Sequence, residues 1–223
     1  TLYEDIAREH SDDPYARQQQ ALAFGRISQL LEMTRRSEEA EIAVNRGVAL
    51  VEELLKSNPN DQSFRSSLAE LLFKRLHVSV RAQAERLADA ERCLLLYQQV
   101  GRLGGLLQYK VATLLPEDSA RAMALITESI RVPEEHGMSP HPASYIWLAE
   151  HAERHGDFQE AEKNYRRGIE GYGVFASRGD RIARGLQSSN CGRFARLLNA
   201  QSRPDEAQEF HVRAIGIARG LYE

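Results

Sequence analysis

His151-Ala-Glu-Arg-His155 sets two imidazoles one helical turn apart, a spacing that can chelate a metal from one face of a helix. His136 and His141, just upstream, are the nearest candidates for a third ligand. The zinc-protease arrangement needs a glutamate directly after the first histidine, and Ala152 stands there instead. Histidines at a solvated helix end are the commoner case, so the expectation is no metal and no cofactor. Arg178-Gly179-Asp180 spells an adhesion tripeptide, but Gly followed by Asp also breaks one helix and caps the next. Gly101-Arg-Leu-Gly-Gly105 lacks the Lys-Ser/Thr ending of a phosphate loop and reads as a connector. Cys191 falls at a core position, and Cys93 has no adjacent histidine to activate it. No Ser/His/Asp set can be argued from spacing, so the chain reads as non-catalytic.

These residues sit in a helical background. Ala, Leu, Glu, Arg and Gln dominate the 223 residues, and seven prolines and fifteen glycines interrupt them. No β-branched run of alternating polarity suggests a strand. A composition of 42% hydrophobic and 27% charged residues, with a net charge of -3, is that of an ordinary soluble protein. That balance gives no global attraction to nucleic acid or an acidic membrane. Two widely separated cysteines argue against a disulfide framework, and no apolar run approaches the roughly 20 residues that span a bilayer. A cytoplasmic location is expected.

The helices repeat. Tyr145, Leu148, Ala149 and Ala152 share one helical face, Gly156-Asp157 breaks the helix, and Phe158, Ala161, Tyr165, Gly168 and Ile169 line the next. The same order recurs with Phe24, Ile27, Ser28 and Leu31 before Ala40, Val44 and Gly47, closed by Pro59. It recurs with Phe73, Leu76, His77 and Val80 before Ala90 and Leu94, and with Cys191, Phe194, Ala195 and Leu198 before Ala207, His211 and Ala214. A degenerate copy lies around Leu107 to Ile130, with Ala122, Ile126 and Ser129 as its pairing face. Equivalent alanines at 40, 90, 122, 161 and 207 are 50, 32, 39 and 46 residues apart.

This pattern resembles the tetratricopeptide repeat, whose signature is aromatic-x2-Leu-small-x2-large followed by Ala-x3-aromatic in units of about 34 residues. The resemblance implies an all-α fold, an α-solenoid of stacked helix–turn–helix units wound as a right-handed superhelix of about eleven helices. The expected units are 14–57, 61–102, a degenerate 104–132, 140–177 and 180–223, in one array over 1–223. Residues 2–17 (LYEDIAREHSDDPYAR) echo 50–65 (LVEELLKSNPNDQSFR), so 1–10 are read as the end of a preceding unit's second helix and the chain as part of a longer array. The wording EEAEIAVNRGVALVEELLKSNPNDQSFRSSLAELL is similar to long tetratricopeptide units attached to bacterial serine/threonine protein kinases, especially in planctomycete-like bacteria. That likeness covers about residues 1–100 well and the rest loosely. It implies a signalling context; no His-Arg-Asp, Asp-Phe-Gly or glycine-rich nucleotide loop occurs in this stretch.

In such arrays the first helix of each unit lines a concave groove. Positions off the core stripe of those helices are Gly25, Arg26, Gln29 and Glu32; Lys74, Arg75, Val78 and Arg81; Ile146, Trp147, Glu150 and Arg154; and Gly192, Arg193, Arg196 and Asn199. With Glu153 included, seven basic side chains face three acidic ones, which favours an acidic peptide or a C-terminal carboxylate. The same charges can equally be solubilising. Trp147 lies about 200° round the helix from Tyr145, so it is expected either to pack on a neighbouring unit or to stand partly exposed as a groove anchor. The expected function is therefore a protein- or peptide-binding scaffold, with two alternatives: a regulatory domain of a larger signalling protein, or a module that self-associates through its array ends.

Overall fold

The structure, a computed structural model, describes residues 13–78, 80–101 and 105–221. Among them all regular structure is helical, in ten helices with no strand. These are α1 (Pro14–Met33), α2 (Ser37–Ser57), α3 (Gln62–Arg75), α4 (Gln83–Gln99), α5 (Gly105–Ala112), α6 (Ala120–Glu135), α7 (Pro142–Arg154), α8 (Phe158–Ser177), α9 (Arg181–Ala200) and α10 (Pro204–Arg219). The further helix expected at 2–10 lies outside the described residues.

Local chemistry sets where these helices begin. Asp13, Asp61, Asp157 and Asp180 each accept a hydrogen bond from a backbone N–H of the following turn, and Ser119 does the same for α6. Each satisfies a donor that the helix start leaves without a partner. Pro14, Pro142 and Pro204 occupy the first helical turn, where no N–H is required. One device ends five of the helices. A residue in the left-handed region (Arg35, Gly137, Gly156, Gly179 or Ser202) is followed by an N–H that bonds the carbonyl five residues back. Three-residue turns of this kind reverse the chain between α1 and α2, α7 and α8, α8 and α9, and α9 and α10, so each pair packs as an antiparallel hairpin.

The contacts gather into two compact units, the first ending at Pro116 and the second starting at Glu117. In the first, α2 packs between α1 and α3, α4 packs on α3, α5 packs on α4, and α1 also touches α3. In the second, α6 packs on α7, and α7 to α10 follow as three successive pairs. The division falls inside the stretch expected as a third unit, because eight-residue α5 takes α4 as its partner while α6 takes α7.

All five alanines that mark the repeat spacing are buried. At Gly47 an added Cβ would meet the Ala21 carbonyl oxygen of α1 at 2.7 Å, so only hydrogen fits between these backbones. Several larger residues depart from their expected places. In α1 the buried stripe is Gln18, Ala21, Gly25 and Ser28, which leaves Ile27 45% exposed. α3 stops at Arg75, so Val80 lies in the connector and is exposed, as is His77; Phe64, Leu68 and Leu72 fill the core instead. Phe158 is the first residue of α8, next to the turn that closes the α7–α8 hairpin, and is 46% exposed. None of the described helices is long and apolar enough to cross a membrane.

Candidate functional site

The first helices carry the expected groove positions, and each compact unit treats them differently. In the first unit, Arg26 and Gln29 are exposed on α1, and Gln29 accepts a hydrogen bond from Lys74 Nζ at 2.9 Å. Lys74 also pairs with Glu70 at 3.2 Å, and its side chain is largely covered. Gly25 packs against Leu71 and Lys74, and Val78 is buried, so neither presents a surface.

Arg75 and Arg81 are part of the packing. Arg75 grips Asp89 with two bonds of 2.7 and 2.5 Å and donates to Asn45 Oδ1 at 2.9 Å. Arg81 is 9% exposed; it reaches the same Asp89 at 3.3 Å and Glu41 at 3.2 Å. A fork-shaped guanidinium meeting a carboxylate in two parallel bonds is both strong and geometrically demanding. Here it ties α3 to α4, and Arg81 ties the connector between them to the same carboxylate. Asp89 was not singled out from the sequence, although it shares the buried stripe of α4 with Cys93 and Leu96, and an acid on that stripe is itself a signal.

In the second unit, Glu150 of α7 pairs with Arg193 of α9, and Arg154 pairs with Glu117. Two of the cations counted for an acidic ligand are thus already matched by carboxylates. Arg196 and Asn199 remain exposed on α9. Trp147 is 8% exposed, which excludes the groove-anchor alternative; its ring stacks on His151 with centroids 5.2 Å apart. Ile146 is buried against Gly168 of α8, so it too is core.

Buried polar chemistry in this unit centres on two tyrosines. Tyr145 donates to Glu134 and Tyr165 to Glu153, each at 2.8 Å. Burial, reinforced by the accepting carboxylate, pushes the Tyr145 hydroxyl up to about 12 and raises that of Tyr165 as well. Burial likewise raises both thiols; Cys93 reaches about 12 and donates to the Ala69 carbonyl, so it is held as an inert thiol. Of the histidines upstream of α7, His136 donates to the Val132 carbonyl at 2.8 Å, and His141 accepts from the Ala143 N–H at the start of α7. Both serve helix ends. Gly179 and Asp180 form the α8–α9 turn, with φ 90° at Gly179 and Asp180 accepting from Ala183 N–H at 2.9 Å.

Compared with known proteins, the chain matches no family model and none of the curated proteins.

Proposed function

We propose that this chain is a non-catalytic, tetratricopeptide-like scaffold that binds a protein segment on the exposed faces of its first helices. The observation that carries the reading is the recurring hairpin: a left-handed residue and a backbone bond five residues back join helices that pack in chain order, with a small residue where they approach. Helix pairs of this kind bury their apolar faces on each other and leave a regular polar face for recognition. Arg75, Arg81 and Trp147 are occupied by packing, so the partner-facing residues narrow to Arg26 and Gln29 in the first unit and to Arg196 and Asn199 in the second. Each unit then offers an exposed arginine beside an amide side chain, and an acidic peptide fits either pair best.

The test is enrichment of peptides of graded charge on the immobilised chain. Acidic sequences should be retained, and Arg26→Glu or Arg196→Glu should reduce retention by about tenfold, or roughly 1.4 kcal/mol, without shifting the thermal melt. Retention indifferent to both substitutions, or no enrichment at all, rejects the reading. A self-associating module is favoured by one observation: Val212 and Ile215 lie exposed on α10. Sedimentation velocity over a concentration series separates the two, because a monomer at all concentrations rejects self-association.

A further inference from the structure

The last turn of α7 carries a cluster that the scaffold reading does not use. His151 and His155 are four residues apart, so their rings lie side by side on one face, with centroids 4.2 Å apart and planes 24° apart. Neither His136 nor His141 joins them; the third member is Asp118, from the loop that precedes α6. One ligand atom from each of the three lies within 4.8 Å of the others.

The surroundings orient these groups as ligands. His155 Nδ1 lies 2.8 Å from the His151 carbonyl oxygen, and a carbonyl can only accept, so the proton is on Nδ1. Nε2, the atom left to ligate a metal, lies on the side of Asp118, whose Oδ1 is 3.7 Å away. A ring N–H tied to a backbone carbonyl is the usual support behind a metal-bound imidazole. The His151 ring is backed by Trp147, with planes 14° apart. The backbone of Asp118 is held on both sides, since Glu117 pairs with Arg154 of α7 and Ser119 caps α6 at 3.0 Å. A helix C-terminus adds partial negative charge where a cation would sit.

We propose that Asp118, His151 and His155 form a surface site for a borderline transition-metal dication, with zinc as the first candidate and water completing the coordination. Two imidazoles and one carboxylate suit zinc, nickel or copper far better than calcium or magnesium, which take oxygen ligands. Bonds of about 2.1 Å in a tetrahedron bring donor atoms to about 3.4 Å from one another. The ligand atoms here lie within 4.8 Å of one another, so small side-chain rotations of Asp118 and the two rings are needed to reach it.

The experiment is calorimetric titration of the full chain with zinc chloride in a non-coordinating buffer, with thermal melts of every variant as a folding check. The expected result is saturable binding of one ion per chain, weakened at least about tenfold by Asp118→Ala or His155→Ala and abolished in His151→Ala/His155→Ala. His136→Ala should bind like the parent. Copper should quench Trp147, the single tryptophan, to saturation at the same stoichiometry. Absence of binding overturns the site. So does parent-like affinity in the double variant, which would mean adventitious capture by other surface histidines. Unchanged affinity in Asp118→Ala also overturns it as a three-ligand centre.

Discussion

The two compact units solve the same problem, holding antiparallel helices together, with different chemistry. The first is pinned by polar groups: Gln18 donates to Ser63 and Ser67 at 2.7 Å, and Arg75 and Arg81 converge on Asp89 with Asn45 and Glu41 alongside. The second is pinned by rings. Tyr165, Phe194 and Phe210 form a chain with centroid separations of 5.7 and 4.6 Å, and Arg166 lies over both phenylalanines at 5.1 and 5.5 Å. Across the three-residue turns that join α8, α9 and α10, ring packing holds the helices together. Across the longer connector between α3 and α4, the Arg75–Asp89 pair joins the two helices and Arg81 joins the connector to Asp89 and Glu41. An ionic lock specifies one geometry but gains little net stability, since desolvation offsets attraction. Ring packing is less directional and is sensitive to lost volume instead.

That contrast can be broken most directly at Phe194, which is fully buried. Phe194→Ala should cost about 4 kcal/mol in urea unfolding, with hydrogen exchange accelerated in α8 to α10. Asp89→Ala strands two covered guanidiniums and should cost about 3 kcal/mol, with exchange accelerated in α3 and α4. If each variant loosens both units equally, the chain unfolds as one cooperative body and the contrast has no energetic meaning. Ala161→Leu should overpack the α7–α8 pair and cost about 2 kcal/mol; a parent-like melt would show that this close approach has slack.

Tyr165→Phe sharpens the second unit further. Loss of the hydroxyl leaves Glu153 one donor short and should cost about 1 kcal/mol at neutral pH. The folded-state value of Tyr165 is raised, so its contribution is complete below the ordinary tyrosine value of 10 and is lost as pH rises from there through the raised folded-state value. The parent should therefore weaken more steeply than Tyr165→Phe in urea titrations above pH 10; parallel curves would remove the bond from the account. The smallest effect is expected at Ser202, which holds φ 60° at the α9–α10 turn. Ser202→Gly relieves about 1–2 kcal/mol of left-handed strain against a somewhat smaller gain in unfolded-state freedom. Thermal melts should show a net gain of roughly 0.5 kcal/mol, and a lower melting temperature would mean the serine side chain supports the turn.

The helix starts and breaks were legible because their causes are local. Asp157 and Asp180 cap helices a few residues away, Pro142 and Pro204 need no donor, and Gly156 and Gly179 take a backbone region that other residues enter at a cost. Small size also carried through, since Ala40, Ala161 and Ala207 must lie where helices touch. The all-helical architecture follows from those signals together. Only the tertiary structure decided which charges are spent on packing and which face outward. Each residue turns the helix by about 100°, so a one-position shift of register separates a groove from a core. In α1 that shift exposes Ile27 and buries Gly25. Partner choice depends on the same rotations in two helices at once. Asp89 beneath Arg75, Glu150 opposite Arg193, and Asp118 beside His151 and His155 are therefore meetings that no spacing along the chain could announce.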